Sequence, residues 1–300
     1  MALMMVLPFA ACGDDNGEET KASEDSQSAT QAAGESDAQV ETTAPEESQE
    51  ATIEETVLYD ENNIKITALS LTYDDTYVNL NLRIENNTDT DLSFLAYDTT
   101  VNDFVVEGLM AEDVASGEQV DGRLFFRKKW LQDDGIDVIA DIEARFSYYT
   151  DDYMVDGDTD MIEIKTSAAE GFDYSYDESG SVIYDQDGVK IVFQRLFVTD
   201  NTYDGDTEYY PIIFIKNESD EIIYVQDTEV RVNGIEVDAT FGEFVYTGKR
   251  MISEVSLYED NLAENGITEF ESLEMAFEIT RGSVLNSGEN TELVEVELEQ

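Results

Sequence analysis

The segment LQDDGIDVIADIEARF at residues 131–146 returns later in the chain as LAENGITEFESLEMAF at residues 262–277. Identities recur at one displacement of 131 residues, pairing Leu131 with Leu262, Gly135 with Gly266, Ile136 with Ile267, Glu143 with Glu274 and Phe146 with Phe277. The chain is a duplication, and a repeat decides the fold before any single motif does. Working outward, LRIENNTD at 82–89 matches IFIKNESD at 213–220, and Asn102 matches Asn233, at the same displacement. Further upstream, VLYDENNIKI at 57–66 matches VIYDQDGVKI at 182–191 at a displacement of 125. The second copy therefore carries a six-residue insertion, placed in the polar turn at 200–208 (DNTYDGDTE), where insertions are tolerated.

Within each copy the apolar residues alternate. Val78, Leu80, Leu82 and Ile84 interleave with Asn79, Asn81, Arg83 and Glu85, the period of a strand with one face in a core and one in water. Asp60 to Asn63 and Asp185 to Gly188 interrupt apolar runs with residues that accept positive φ, which predicts tight hairpin turns. About seven short strands per copy of about 110 residues, with one short helical candidate around Lys128 to Asp134, predict an all-β fold: two tandem Ig-like antiparallel β-sandwich domains. Gly135 and Gly266 are placed to end the short helical turn in each copy.

The composition narrows the function classes. With 70 acidic against 16 basic residues the formal charge is -54, which repels nucleic acid and anionic lipid and favours calcium, magnesium or a basic partner as counter-ion. There is no histidine, so imidazole bases, Ser-His-Asp arrangements and histidine-held metals are excluded, and neither a P-loop nor G-x-G-x-x-G occurs. The one cysteine, Cys12, excludes a disulfide within the chain. It follows an apolar run, MALMMVLPFAA, too short to span a bilayer. Phe9, Ala10, Ala11 and Cys12 resemble the lipobox of bacterial lipoproteins, which implies that Cys12 carries a lipid anchor. No Lys or Arg precedes the run, which points to a start upstream of Met1. Residues 13–56 lack aromatic side chains and are expected to be a disordered acidic tether, since they cannot bury enough apolar surface to offset chain ordering.

Each copy also resembles the uncharacterised Ig-like repeats of surface lipoproteins from Gram-positive, Clostridia-like gut bacteria. The residues that carry the likeness are Tyr59, Asp60, Lys65, Ile84, Asn86, Thr88, Asp89, Val101 and Asn102 in the first copy. In the second they are Tyr184, Asp185, Lys190, Ile215, Asn217, Ser219, Asp220, Val232 and Asn233. The likeness covers about three quarters of the chain and implies fold and cell-surface location, with no catalytic residues to transfer.

Three clusters are candidates for chemistry or contact. Asp152, Asp156 and Asp160 lie in a loop with partial EF-hand spacing, and Asp200, Asp204 and Asp206 lie in the insertion, so calcium is the one cofactor in view. Met154 stands where an oxygen ligand is needed, and an ordinary solvated hairpin is the competing reading. Tyr210, Ile212, Phe214 and Tyr224 replace Asn79, Asn81, Arg83 and Ser93, and Ile222 replaces Asp91, which predicts an apolar sheet face on the second copy. The expected cover is the linker, whose Phe172, Tyr174 and Tyr176 alternate as an extra strand would; an external partner is the alternative. Arg127, Lys128, Lys129 and Trp130 form the basic concentration, read either as a contact for a phosphate or glycan or as a helix turn paired with Asp133 and Asp134.

The expected organisation is a signal segment at 1–12, the tether at 13–56, a sandwich at 57–167, a linker at 168–181 and a sandwich at 182–300. The expected role is a non-catalytic binding or adhesion module on the outer face of the cell membrane, held by lipidated Cys12. Its ligand would be a protein or a cell-wall glycan. A calcium-stabilised module and a carboxylate-based hydrolase are the alternatives, the latter requiring a cleft with converging desolvated acids.

Overall fold

The structure, a computed structural model, describes residues 50–150, 155–200 and 207–298, and among these also omits the side chains of 155, 156 and 200. In the first repeat the strands are β1 (Thr56–Glu61), β2 (Ile64–Tyr73), β3 (Tyr77–Asn86), β4 (Leu92–Val101), β5 (Phe104–Val105), β6 (Ala111–Val114) and β7 (Gln119–Arg127). Helix α1 (Lys128–Asp133) and strands β8 (Asp141–Tyr149), β9 (Val155–Asp158) and β10 (Ile162–Lys165) complete it. The second repeat opens with β11 (Ser181–Gln186), β12 (Val189–Asp200), β13 (Thr207–Asn217), β14 (Ile223–Val232), β15 (Ile235–Glu236), β16 (Ala239–Thr240) and β17 (Gly242–Val245). It closes with β18 (Arg250–Glu254), β19 (Ser256–Leu257), α2 (Glu259–Glu264), β20 (Leu273–Arg281), β21 (Glu289–Asn290) and β22 (Val294–Val296).

Both repeats use one plan. Strands β1-β2-β3-β7 form one layer of the first sandwich, and β11-β12-β13-β18 pair in the same order in the second. The facing layers are built on β4 and β8 in the first repeat and on β14 and β20 in the second. Inward residues such as Ile66, Leu82, Phe94 and Phe146 fill the first core, and Ile191, Ile215, Val225 and Phe277 fill the second. The alternation predicts these positions because side chains along a strand point to opposite faces.

The motifs shared by the copies are structural locks. Asn62 and Asn63, and Asp187 with Gly188, take positive φ in two-residue turns that set the registers Glu61↔Ile64 and Gln186↔Val189. Asn86 is fully buried; its amide donates to the carbonyls of Thr90 (2.8 Å) and Val114 (2.9 Å), and its oxygen accepts from Thr88 N (3.0 Å). Asn217 repeats the set with Glu221, Val245 and Ser219. Asn102 donates to the Val138 carbonyl at 2.7 Å and accepts from Ala140 N at 2.7 Å, tying the β4 end to the approach to β8. Gly135, at φ 74°, closes α1: its N–H donates to Gln132 O (3.0 Å) while Ile136 N–H donates to Leu131 O (2.7 Å), a Schellman ending.

All described residues belong to one compact unit, Glu47–Gln300. The reason is a shared sheet. The two-residue edge β5 pairs in parallel with β18 through Phe104↔Arg250, so the β4–β8 layer of the first sandwich runs on into the β11–β18 layer of the second. Beneath that bridge, Val192, Phe214 and Ile252 form one cross-strand row over β12, β13 and β18, and Val192 and Phe214 are buried in the first repeat's core cluster. The matching row of the first repeat is Thr67, Arg83 and Asp121, polar and closed by an Arg83–Asp121 pair at 2.8 Å. The docking face is therefore built once.

The apolar face expected as one surface is divided. Ile212 and Phe214 lie at the junction, whereas Tyr224 is on β14 in the other layer, packed at a tilt against Phe244 at 4.7 Å, and Ile222 is 42% exposed in the turn before it. The chain changes layers between β13 and β14, which places these residues on different sheets. The cover is the first sandwich, and the linker adds no strand. Tyr176 packs edge-on against Phe104 at 4.7 Å and donates its hydroxyl to Asn102 O at 2.6 Å, while the Tyr174 hydroxyl donates to Asp141.

Candidate functional site

Where the buried row ends, the junction opens into a cleft. Arg195, Ile212 and Glu254 are cross-strand neighbours on β12, β13 and β18, one row beyond Val192, Phe214 and Ile252 on the same face. A bulge between Phe193 and Arg195 resets the alternation of β12, so Arg195 and then Phe197 share this face. The opposite wall comes from the first repeat: Leu131 anchors α1 in the core, and Trp130, Asp133 and Asp134 line the opening. The resulting cleft has a volume of about 490 Å³, within the range of about 300–1,000 Å³ for small-molecule sites. A second chamber of about 610 Å³ lies alongside, bounded by the linker near Tyr176 and Ser179. Asp133, Asp134, Arg195 and Ile252 line both chambers.

The electrostatics of the cleft are set by desolvation. Burial pushes the half-buried Asp134 carboxyl up to about 8; the charge of Asp133 adds to this and Arg195 opposes it. Partial burial also raises Glu254, with Asp133 reinforcing and Lys129 opposing. Lys129 is occupied by Asp133 at 2.6 Å, an i,i+4 pair on α1. The side chains of Asp134, Arg195 and Glu254 make no hydrogen bond or ion pair among the described residues. Asp134 is half-buried, whereas Arg195 and Glu254 are exposed at the mouth of the cleft, where water or a ligand can meet them.

The remaining junction is polar and closed. Lys249 bridges Asp103 at 2.9 Å and Glu143 at 2.6 Å, and the Tyr246 hydroxyl donates to Asp98 at 2.5 Å. Arg250 donates its backbone N–H to Asp103 O at 3.0 Å and lies over the Tyr176 ring at 4.3 Å. These contacts join the two sandwiches beside the cleft.

The basic run disperses. Arg127 lies over the Trp130 ring at 4.6 Å and Lys128 over Tyr73 at 5.7 Å; only Lys129 and Trp130 reach the cleft. Tyr210 is half-buried and donates to Glu208 at 2.9 Å beside the exposed ring of Phe197. Of the calcium candidates, Asp152, Asp204 and Asp206 and the side chains of Asp156 and Asp200 lie outside the described residues, and Asp160 is exposed. Among the described residues no three carboxylate, His or Cys groups converge for a metal. Cys12 and residues 1–49 likewise lie outside the described residues. Arg195, Asp134 and Glu254 were not singled out by the sequence. Charged residues are too common here for one to stand out, and the bulge that turns Arg195 toward the cleft breaks the simple alternation.

Fold and site together define an all-β protein of two antiparallel sandwiches fused through one sheet, with a cleft at the seam. No family model and no curated protein matches the chain. Among solved structures the chain is similar to the YadV chaperone, at 7% identity over 72% of this chain and 92% of that one, with a TM-score of 0.23, a likeness too slight to carry an argument.

Proposed function

We propose that this protein is a membrane-anchored, extracytoplasmic lipoprotein of the Gram-positive surface type that binds a ligand in the cleft between its sandwiches without transforming it. The observation that carries this reading is the cleft itself: about 490 Å³, walled by Trp130, Phe197 and Ile212, with three unpaired polar side chains on its surface. The lipobox-like residues ending at Cys12 support the anchor, and a charge of -54 argues against nucleic acid as the ligand. A seam closed by ion pairs and a shared sheet suits binding, because a preformed site avoids the cost of ordering its walls.

Hydrolysis is the second reading, favoured by the two desolvated carboxyls of Asp134 and Glu254 on one cleft. Acid–base work needs two such groups driven apart, one held protonated and one ionised, whereas both of these are driven upward. That common direction supports binding over catalysis.

The test compares wild type with the double variant Trp130→Ala/Phe197→Ala for retention on cell-wall fragments and on solubilised surface proteins. Loss of retention with an unchanged thermal transition is expected; equal retention removes the cleft from the reading. Turnover of retained material by wild type but not by Asp134→Asn would establish the hydrolase instead. Cys12→Ser should move the protein from the membrane fraction to the medium, and persistence in the membrane would refute the anchor.

A further inference from the structure

Resting on the cleft as the ligand site, we infer that its ligand is a neutral, hydroxyl-rich chain, a short oligosaccharide, packed against Trp130 and Phe197 and hydrogen-bonded by Asp134, Arg195 and Glu254. The apolar part of the argument is the wall. Trp130 is half-buried, with Arg127 over its ring at 4.6 Å, and Phe197 is 46% exposed. Both line the same opening as Ile212. Sugar rings present C–H faces that pack on such surfaces, while their hydroxyls need partners at the edge.

The polar part is the set of open groups. Arg195 can only donate, while a carboxyl accepts in either form and also donates when protonated. Burial keeps Asp134 in that protonated form at neutral pH. A hydroxyl also donates and accepts, so each open group has a complementary partner on a sugar. Charged ligands fit less well. A cation would be drawn by Glu107 and Glu254 at the rim but would meet Arg195 and an uncharged Asp134 further in, with Asp133 already occupied by Lys129 at 2.6 Å. An anion would meet Glu107 and Glu254 at the rim of a protein with net charge -54. A second chamber that shares Asp134 and Arg195 with the first offers an elongated ligand further surface.

The chain contains one tryptophan, so its emission reports on this cleft alone. The full chain is titrated with cellotetraose, maltotetraose and tetra-N-acetylchitotetraose as neutral probes, and with tetragalacturonate and spermine as charged ones. A saturable change in Trp130 emission with at least one neutral probe is expected. For that probe, Asp134→Ala should weaken binding about fivefold or more at pH 7, while Asp134→Asn, which can still donate and accept, should stay within about twofold. Raising the pH from 7 to 9 should weaken binding by wild type and leave Asp134→Asn unchanged. Phe197→Ala, at an exposed position, provides a second variant that should reduce affinity without affecting folding. Absence of any response to neutral probes at about 10 mM overturns the inference. A response to spermine or tetragalacturonate alone also overturns it while leaving the cleft as a ligand site. Calorimetric binding of a neutral probe with no change in emission and no effect of either variant would place the site elsewhere, so the cleft reading fails with it.

Discussion

Replacing Lys249 with methionine removes the cation at the centre of the seam while keeping most of its apolar stem. Its side chain is 13% exposed and its ammonium lies 2.9 Å from Asp103 and 2.6 Å from Glu143, both on the other sandwich. Nearby, burial and the charges of Asp103 and Glu143 raise the Asp141 carboxyl, against the Tyr174 hydrogen bond and Lys249, which lower it. Without the lysine, the Asp103 and Glu143 carboxylates lose the cation they share. Breaking a fully buried pair in this way costs about 3–5 kcal/mol. Asp103 is 32% exposed and Glu143 19%, so solvent screens part of the repulsion, and the expected loss is about 2–3 kcal/mol. Urea denaturation followed by Trp130 emission and far-ultraviolet circular dichroism measures it. The double variant Lys249→Met/Glu143→Gln should recover about 1 kcal/mol, because one uncompensated charge is gone. The pH dependence has a definite sign. Burial pulls the Lys249 ammonium down, but its bonds to Glu143 and Asp103 outweigh this and hold its pKa above the usual 10.5. The stabilisation is therefore complete below about 10.5 and lost as pH rises through the higher folded value. A loss under about 0.5 kcal/mol, or a double variant no more stable than the single one, would refute the reasoning.

Asn217→Ala should cost about 2–4 kcal/mol by leaving the Glu221 and Val245 carbonyls and the Ser219 N–H without their buried partner, and Asn86→Ala should cost about the same; denaturation midpoints check both. Asp134→Asn should stabilise the protein at high pH. The folded state holds this proton up to about pH 8 while the unfolded chain releases it near 3.8, so wild type loses stability as pH climbs between those values. The gain of the variant should grow across that window, reach about 2 kcal/mol or more, and stay level above pH 8 in melts run from pH 4 to 9.

The repeat carried most of the fold because strand alternation and turn residues are local signals, and duplicated signals confirm each other. Asn62 with Asn63, Asp187 with Gly188, and the Asn86 and Asn217 locks all act within a few residues of their own position, so their spacing is visible in the chain. The contrast between Phe214 and Arg83 was visible for the same reason and marked the docking face. What covers that face was not. A two-residue edge such as β5, joined to β18 through Phe104 and Arg250, has no periodicity to detect, while three alternating aromatics in the linker imitate a strand. The cleft was hidden for a related reason: Arg195 and Asp134 meet only because two separately folded layers are set side by side, and no spacing along the chain encodes that distance.

Amide hydrogen exchange at Arg250 in the full chain tests the shared sheet most directly, since that N–H donates to Asp103 O across the seam. Protection comparable to the amides of Ile213 and Ile215 in the adjoining strand is the predicted result. Exchange at the rate of an open loop amide would mean that the sandwiches part freely in solution, and that the cleft is not a standing feature of the protein.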